Sequence, residues 1–490
     1  AGYSRCCEWN NVMSEHARIT PSGITESLGI QGWDHLDPIL LAALATESPL
    51  LLIGPHGTAK SLLVEKIAGA LSLSMRHYNA SLINYDDLVG IPLPEVGTNQ
   101  LQFVSTPGAI WDAEFVFFDE ISRCRPDLQN KMFPIVHERR IAGIRLGRLR
   151  HRWAAMNPPA PEDPDTSTGE YYLGSEPLDP ALVDRFPFVV PVPNWKQLSK
   201  ENRRRLVTRW QRVEHGELEV AALGDQVVQC AALIETLEEE LRDWLIDYVV
   251  SVVDLLEQAQ LGQSPRRAYM LARSLVAIHA ARIILEGDNA ELEYSAELAL
   301  TFGLPQNASE VPPSRTKLIA IHRQAWEISS LSEDDAWRQV LEELDPARRI
   351  VLADQLDLAD SDISRLITQA IGAETSDARR TGLAAAIFIA FQKRRDLSAS
   401  AWEPLAQLAT RVLEPRALST PLRAGAMTDI WNEINHWLPA LEDCVNIRMR
   451  LERNYVLSGF PELWMRVDWK DALEQFRADL NLFNIDEAME

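Results

Sequence analysis

The chain has 490 residues, 46% of them hydrophobic, and a formal net charge of −23. That length allows two or three domains with a large core, and that apolar share excludes an intrinsically disordered chain. So negative a balance argues against general nucleic-acid binding and against docking on an anionic membrane surface.

Residues 1–22 lack clear periodicity and are read as a leader, expected to be partly non-native or disordered. ITESLGIQGWDHLDPILLAALATESP, from Ile24, reads as a helix feeding a strand. SPLLLIG is a short apolar run, the signature of a buried strand. GPHGTAKS follows, and then SLLVEKIAGALS with apolar residues at helical spacing. Strand, glycine-rich turn and helix put phosphates on a helix N-terminus. Gly54 and Gly57 supply the bending, Lys60 the cation for the β and γ phosphates, and Ser61 a hydroxyl for Mg²⁺. Ala59 stands where the motif G-x-x-x-x-G-K-[ST] has glycine. A methyl group there does harm only if the backbone needs positive φ or very close packing. Directly before a helix, alanine is expected to be tolerated.

YDDLVGIPLPEVGTNQLQFVSTPG, from Tyr85, is turn-rich with short extended pieces, as an insert would be. AEFVFFDEISR carries an apolar strand ending in Asp119 and Glu120. Open α/β sheets bind ligands at the C-terminal ends of their strands. Asp119 is therefore expected to hold the Mg²⁺ water shell and Glu120 to orient an attacking water. ERRIAGIRLGRLRHRW brings together Arg139, Arg140, Arg145, Arg148, Arg150 and Arg152 with no acid after Glu138. Such a cluster suits an acidic protein segment or a phosphate backbone, and equally a hairpin ion-paired to acidic neighbours. WAAMNPP is a further apolar strand, ending in Asn157, which suits a water or the γ-phosphate; a turn asparagine before prolines is the plainer alternative. APEDPDTSTGEYYLGSEPLDP, from Ala160, is an acidic, proline-rich exposed loop, and DPALVDRF then presents Arg185.

From Trp195 the pattern is helical. VVQCAALIETLEEELRDWLIDYVVSVVDLLEQAQ, from Val227, precedes a helix that starts at Ser264–Pro265 and carries Arg266 in its first turn. An arginine there opposes the helix dipole and calls for an anionic partner. LPQNASEVPPSR, from Leu304, is the clearest linker. Amphipathic helices run from Thr316 to the end, with TGLAAAIFIAFQKRR the most apolar. No fixed repeat or catalytic constellation is read there. His322 and His436 are taken as structural, and Trp402, Trp431, Trp437, Trp464 and Trp469 as core or interface anchors. Over the whole chain no uninterrupted apolar stretch of membrane-spanning length is read, and no signal-like pattern. Cys6, Cys7, Cys124, Cys230 and Cys444 show neither CxxC nor zinc spacing, which suits a reduced cytoplasm.

Between Gly29 and Gly303 the order of these pieces resembles an AAA+ ATPase of the MoxR family. GPHGTAKS is similar to that family's phosphate loop, which often has alanine before the lysine. FFDEISRCRPDLQNKMFPIVHERRI resembles its Walker B strand and following helix, and FVSTPGAIWDAEF the end of its helix-2 insert. AAMNPP resembles the sensor 1 strand, LDPALVDRF the arginine-finger segment and SPRRA the start of sensor 2. The resemblance implies ATP binding by Gly54, Pro55, His56, Gly57, Thr58, Ala59, Lys60, Ser61 and Leu62. It implies Mg²⁺ at Ser61 and Asp119, and catalysis by Lys60, Asp119, Glu120, Asn157, Arg185 and Arg266, with Arg123 and Arg267 as lesser members. The implied fold is an α/β AAA+ core with a parallel sheet (23–194), an all-α lid (195–303), a linker (304–315) and an all-α C-terminal domain for docking partners (316–490). The family further implies a ring, expected to be a hexamer in which Arg185 serves a neighbour's nucleotide. It also implies a protein client and a von Willebrand A-domain partner. Two other readings stand beside this one. One is a nucleotide-gated assembly scaffold. The other is a nucleic-acid-stimulated motor acting through the Arg139–Arg152 hairpin.

Overall fold

The computed structural model describes residues 23–94, 101–159, 177–209, 220–309, 311–332, 334–414, 426–438, 444, 446–459 and 467–485. The expected leader, most of the acidic loop from Ala160, and Trp464, Cys6 and Cys7 lie outside the described residues. The chain forms two compact units, 1–329 and 330–490.

The first unit is built on five strands: β1 (Leu50–Ile53), β2 (Met75–Asn79), β5 (Phe115–Asp119), β8 (His151–Met156) and β9 (Phe188–Pro191). They are parallel and ordered β2-β5-β8-β1-β9. Every residue of β1 and β8 is buried, because helices cover both faces of the sheet. Side chains alternate between the faces. Leu50, Leu52, Phe115, Phe117, Trp153 and Phe188 join one core. Leu51, Ile53, Val116, Phe118, Ala154 and Met156 join the other. Two ribbons stand outside the sheet: β3 (Ile91–Pro94) with β4 (Leu101–Val104), and β6 (Arg140–Ile141) with β7 (Ile144–Arg145).

The helices are α1 (Asp37–Ala45), α2 (Lys60–Ala70), α3 (Pro126–Glu138), α4 (Lys200–Arg209), α5 (Val220–Glu240), α6 (Arg242–Gln258), α7 (Pro265–Glu286), α8 (Leu292–Phe302) and α9 (Arg315–Ser330), besides short helical turns. The helix expected to feed β1 is two pieces, a turn at Ile24–Ser27 and α1, separated by Gly29 and Gly32 at positive φ. The tract from Val227 breaks at Leu241, between α5 and α6.

Three expectations need correction. First, Pro265–Asn289 is long and apolar enough to cross a membrane, with a mean hydropathy of 1.4, although no such stretch was expected. It buries Leu271, Leu275, Val276, Ile278 and Ala281 in the core that also contains α1 and one sheet face. Its middle, residues 274–282, is buried throughout, while Arg266, Tyr269 and Arg273 are exposed. Second, the segment read as a linker packs onto the sheet: Asn307 is buried and its Nδ2 donates to Val189 O at 3.0 Å and Thr301 O at 2.8 Å. Third, α9, assigned above to the C-terminal domain, contributes Leu318, Ile321 and Ala325 to the first unit's core. Its His322 is buried, as expected of a structural histidine, and shares a 2.8 Å hydrogen bond with Tyr248.

The second unit is helical throughout its described residues and closes its own core. The apolar helix Asp377–Phe391 is buried along most of its length. Tyr455 OH donates to Ala378 O at 2.9 Å, and Trp437 and Trp469 meet at 5.4 Å between ring centroids. Cys124, Cys230 and Cys444 are buried, and no disulfide is found among the described residues.

Candidate nucleotide-hydrolysis site

The loop between β1 and α2 leaves the C-terminal edge of the sheet. Gly54 N donates to Met156 O at 3.1 Å, tying the loop to the neighbouring strand β8. Gly57 turns at φ +75°, and Ala59 also lies in the left-handed region, at φ 70° and ψ 20°, where it caps α2. The loop therefore needs positive φ at the position where alanine replaces glycine. Lys60 is 8% exposed. Its Nζ donates to Gly54 O at 2.7 Å and to Pro55 O at 2.8 Å. Burial pushes its pKa down to about 8, against the opposing pull of Asp119 and Glu120.

Ser61, in the first turn of α2, donates from Oγ to Asp119 Oδ2 at 2.7 Å. Asp119 ends β5 and also accepts from Glu120 N at 2.9 Å. Burial raises its pKa, but contact with His77 and the bonds from Ser61 and Glu120 N outweigh this and hold the carboxyl below its ordinary range. A hydroxyl and an ionised carboxylate side by side are hard oxygen donors, which fit Mg²⁺ with part of its water shell. Glu120 is held at φ 53°, turning its side chain off the strand. Its Oε2 accepts from Asn79 Nδ2 at 3.4 Å and Ser81 Oγ at 3.3 Å, and Arg123 stands 3.7 Å from its Oε1. Asn157 follows β8, the strand between β1 and β5, and is buried.

Three contributors were missed in the sequence. Asn79 and Ser81 carry Glu120, and His77 stands 3.5 Å from both Asp119 and Glu65. The Asp119 contact holds the His77 pKa above its ordinary value. Asn79 pairs in register with Asp119, so it too sits at a strand's C-terminal end. The rule that found Asp119 would have found it.

Arg185 and Arg266 lie elsewhere. Leu50 pairs with Phe188, so Arg185 precedes the N-terminal edge of β9 while the phosphate loop leaves the opposite edge. Four strand residues, about 13 Å, separate the edges. The Arg185 guanidinium lies 4.7 Å over the Phe133 ring and donates to Ala181 O. The anionic partner demanded by Arg266 is Asp184, at 3.5 Å. Arg267 is 1% exposed. It donates to Val183 O at 3.2 Å, Phe186 O at 2.7 Å and Gly303 O at 2.9 Å, and burial lowers its pKa to about 10. It is a buried structural cation.

The arginine-rich hairpin is ion-paired within its own chain. Arg139 and Arg150 hold Glu47 at 2.9 and 2.7 Å, and Arg148 stands 3.9 Å from Glu114. Arg152 is buried and bonds the carbonyls of Val136 and Glu47. Arg140 and Arg145 remain exposed, on the two-residue turn that Ala142 and Gly143 make at positive φ.

Sheet order, phosphate loop and the paired acids at the end of β5, one strand removed from β1, define a P-loop nucleoside-triphosphatase domain. Residues 49–186 match the AAA domain of the dynein-related subfamily. The chain is 25% identical over 283 residues to the chaperone MoxR1 of Mycobacterium tuberculosis, 54% of this chain and 70% of that protein. It is 29% identical over 183 residues to the uncharacterized YojN of Bacillus subtilis, 34% of this chain and 56% of that one. An uncharacterized protein of Staphylococcus haemolyticus is 27% identical over 151 residues, 28% of this chain and 52% of its own length. A solved structure of a putative ATPase from Cytophaga hutchinsonii aligns over 66% of this chain and 96% of its own, at a TM-score of 0.45 and 18% identity. The chain thus spans little more than half the length of two of these three relatives. Residues 49–186 match an AAA domain, and over 54% of its length the chain is similar to a MoxR chaperone.

Proposed function

We propose that the protein is a ring-forming remodelling ATPase that couples ATP hydrolysis to work on a protein client. The observation that carries this reading is the contact between Ser61 and Asp119, beside a Glu120 carried by Asn79 and Ser81, within one turn of Lys60. Lys60 and the backbone of Gly54–Leu62 bind the phosphates. Ser61 and Asp119 would hold Mg²⁺, whose positive charge would offset that of the phosphates. Glu120 orients the attacking water and accepts its proton, and Asn157 aligns the water or the γ-phosphate. Such an intact carboxylate is superfluous in a scaffold that only locks on nucleotide.

Arg185 and Arg266 act on the neighbouring subunit's nucleotide. Support for this comes from their position at the sheet edge opposite their own phosphate loop. A hexamer, a von Willebrand A-domain partner and a cytoplasmic setting are parts of this proposal that rest on the MoxR-like character. The nucleic-acid reading loses its support, since five of the six hairpin arginines are engaged by Glu47, Glu114 or main-chain carbonyls.

ATP hydrolysis measured against protein concentration, for wild type, Glu120→Gln and Arg185→Ala, tests the proposal. Activity per subunit should rise with assembly. Both variants should be inactive, with Glu120→Gln still binding ATP. An Arg185→Ala ring with wild-type turnover would sink the inter-subunit role. A fully active Glu120→Gln would sink the catalytic assignment.

A further inference from the structure

The four residues Val183–Phe186 are held from both sides by the start of α7. Arg267 donates to the carbonyls of Val183 and Phe186, which flank Asp184 and Arg185, and to Gly303 O just beyond α8. From the other side, Asp184 accepts from Ser264 Oγ at 3.0 and 3.1 Å. Ser264 is the residue that caps α7 through Arg267 N. Arg266 Nη1 and Arg267 Nε each lie 3.5 Å from an Asp184 oxygen. The Arg267 Nε contact is an ion pair lacking hydrogen-bond alignment.

We infer that Arg267 and Asp184 form a clasp through which the lid helix α7 sets the position of Arg185, making both of them positioning residues for hydrolysis at the neighbouring subunit's site. A direct nucleotide contact by Arg267 is excluded by its burial and by the use of both its terminal nitrogens on carbonyls. The guanidinium fork matters here, because an ammonium lacks the planar geometry that spans two carbonyls. Once the clasp is broken, Val183 O and Phe186 O lose their donor, and the turn must shift to regain one. A displacement of 1 Å at a group that stabilises a transition state costs up to about 10²-fold in rate. The clasp joins Arg185 and Arg266 to one rigid helix start, so movement of α7 carries both arginines together. The lid of one subunit would then govern turnover in the next.

This inference rests on the inter-subunit reading above, and the test separates the two. Full-length Asp184→Asn and Arg267→Met are prepared beside Arg185→Ala and Glu120→Gln. Affinity for a fluorescent ATP analogue, particle mass and kcat are measured for each. Each variant is then mixed with Glu120→Gln. The clasp variants should bind the analogue like wild type and assemble like wild type, with kcat lowered by up to about 10²-fold. Mixing should restore turnover. Glu120→Gln subunits contribute a sound Arg185, and the clasp variants contribute a sound Lys60, Asp119 and Glu120. If Asp184→Asn and Arg267→Met keep wild-type kcat, the inference is wrong. It is equally wrong if Arg185→Ala is rescued by mixing while the clasp variants are not. If Arg185→Ala is not rescued either, the inter-subunit reading fails and takes this one with it. Should Arg267→Met fail to fold, Asp184→Asn decides alone.

Discussion

Ala59 sits at φ 70°, a conformation in which a Cβ crowds the following carbonyl at a cost of roughly 1–2 kcal/mol. The expectation that alanine would behave there as a helical residue misjudged the boundary, since α2 begins only at Lys60. Ala59→Gly should relieve part of this strain, at some cost in unfolded-chain entropy. The net expectation is a gain of about 0.5–1 kcal/mol, seen as a rise of about 1 °C in the melting transition of the first unit, with ATP hydrolysis retained. A fall in melting temperature would show that the loop is not strained. Asp37 offers a second test. It is 4% exposed, and its Oδ1 accepts from Thr25 N at 2.9 Å. Burial raises its pKa to about 6, against the opposing bonds from Thr25, while Asp34 adds to the rise. The folded pKa thus exceeds the unfolded value of about 3.9, and the folded state holds the proton more tightly. The contribution of Asp37 to stability is therefore full below pH 4 and is lost as pH rises through 6. Asn keeps the acceptor for Thr25 N without the charge. Asp37→Asn should gain on the order of 2 kcal/mol relative to wild type between pH 4 and pH 7. Urea titrations at both ends of that range measure this, and parallel pH profiles would refute it.

At the scale of elements, the β6–β7 hairpin shows how a charge cluster leaves two readings open until the fold chooses between them. Six arginines in one short stretch suggest a surface for anions. Folding brings Glu47, distant in sequence, against Arg139 and Arg150. Glu47→Gln removes both ion pairs and should lower stability by about 1 kcal/mol, the range of partly exposed pairs. The difference should shrink in high salt, because these side chains remain partly screened. A loss independent of salt would mean that Glu47 acts by packing. The ends of β2 and β5 make the complementary point. Asn79 and Asp119 are in register, so two strands deliver their last polar residues to one place. Neither strand alone reveals that Asn79 carries Glu120.

For the whole molecule, two separate cores predict two cooperative transitions. The first unit joins both sheet faces, and the second closes a helical core of its own. Calorimetry should therefore resolve two transitions. ATP with Mg²⁺ should raise only the one that belongs to residues 1–329, because ligand binding stabilises the unit that binds it. A single transition shifting as a whole would contradict this division. The expected boundary at 304–315 was drawn from prolines and asparagine, residues common in loops. Asn307 instead bonds β9 and the end of α8, and α9 still belongs to the first core.

The sequence by itself determined the parallel α/β core, the loop from Gly54 to Ser61, the acids at the end of β5 and the helical remainder. These are local: a buried strand reads as an apolar run, and a phosphate loop is contiguous. Its reading of Arg185 and Arg266 named the residues without their setting. Only the tertiary structure decided that Ala59 is left-handed and that Pro265–Glu286 is a core helix. It also decided that Glu47 pairs with Arg139 and Arg150 of the arginine cluster, and that Arg267 joins α7 to the turn carrying Arg185. Each of these depends on which distant group fills the space around a residue, and burial, backbone strain and ion pairing arise only once the chain has folded.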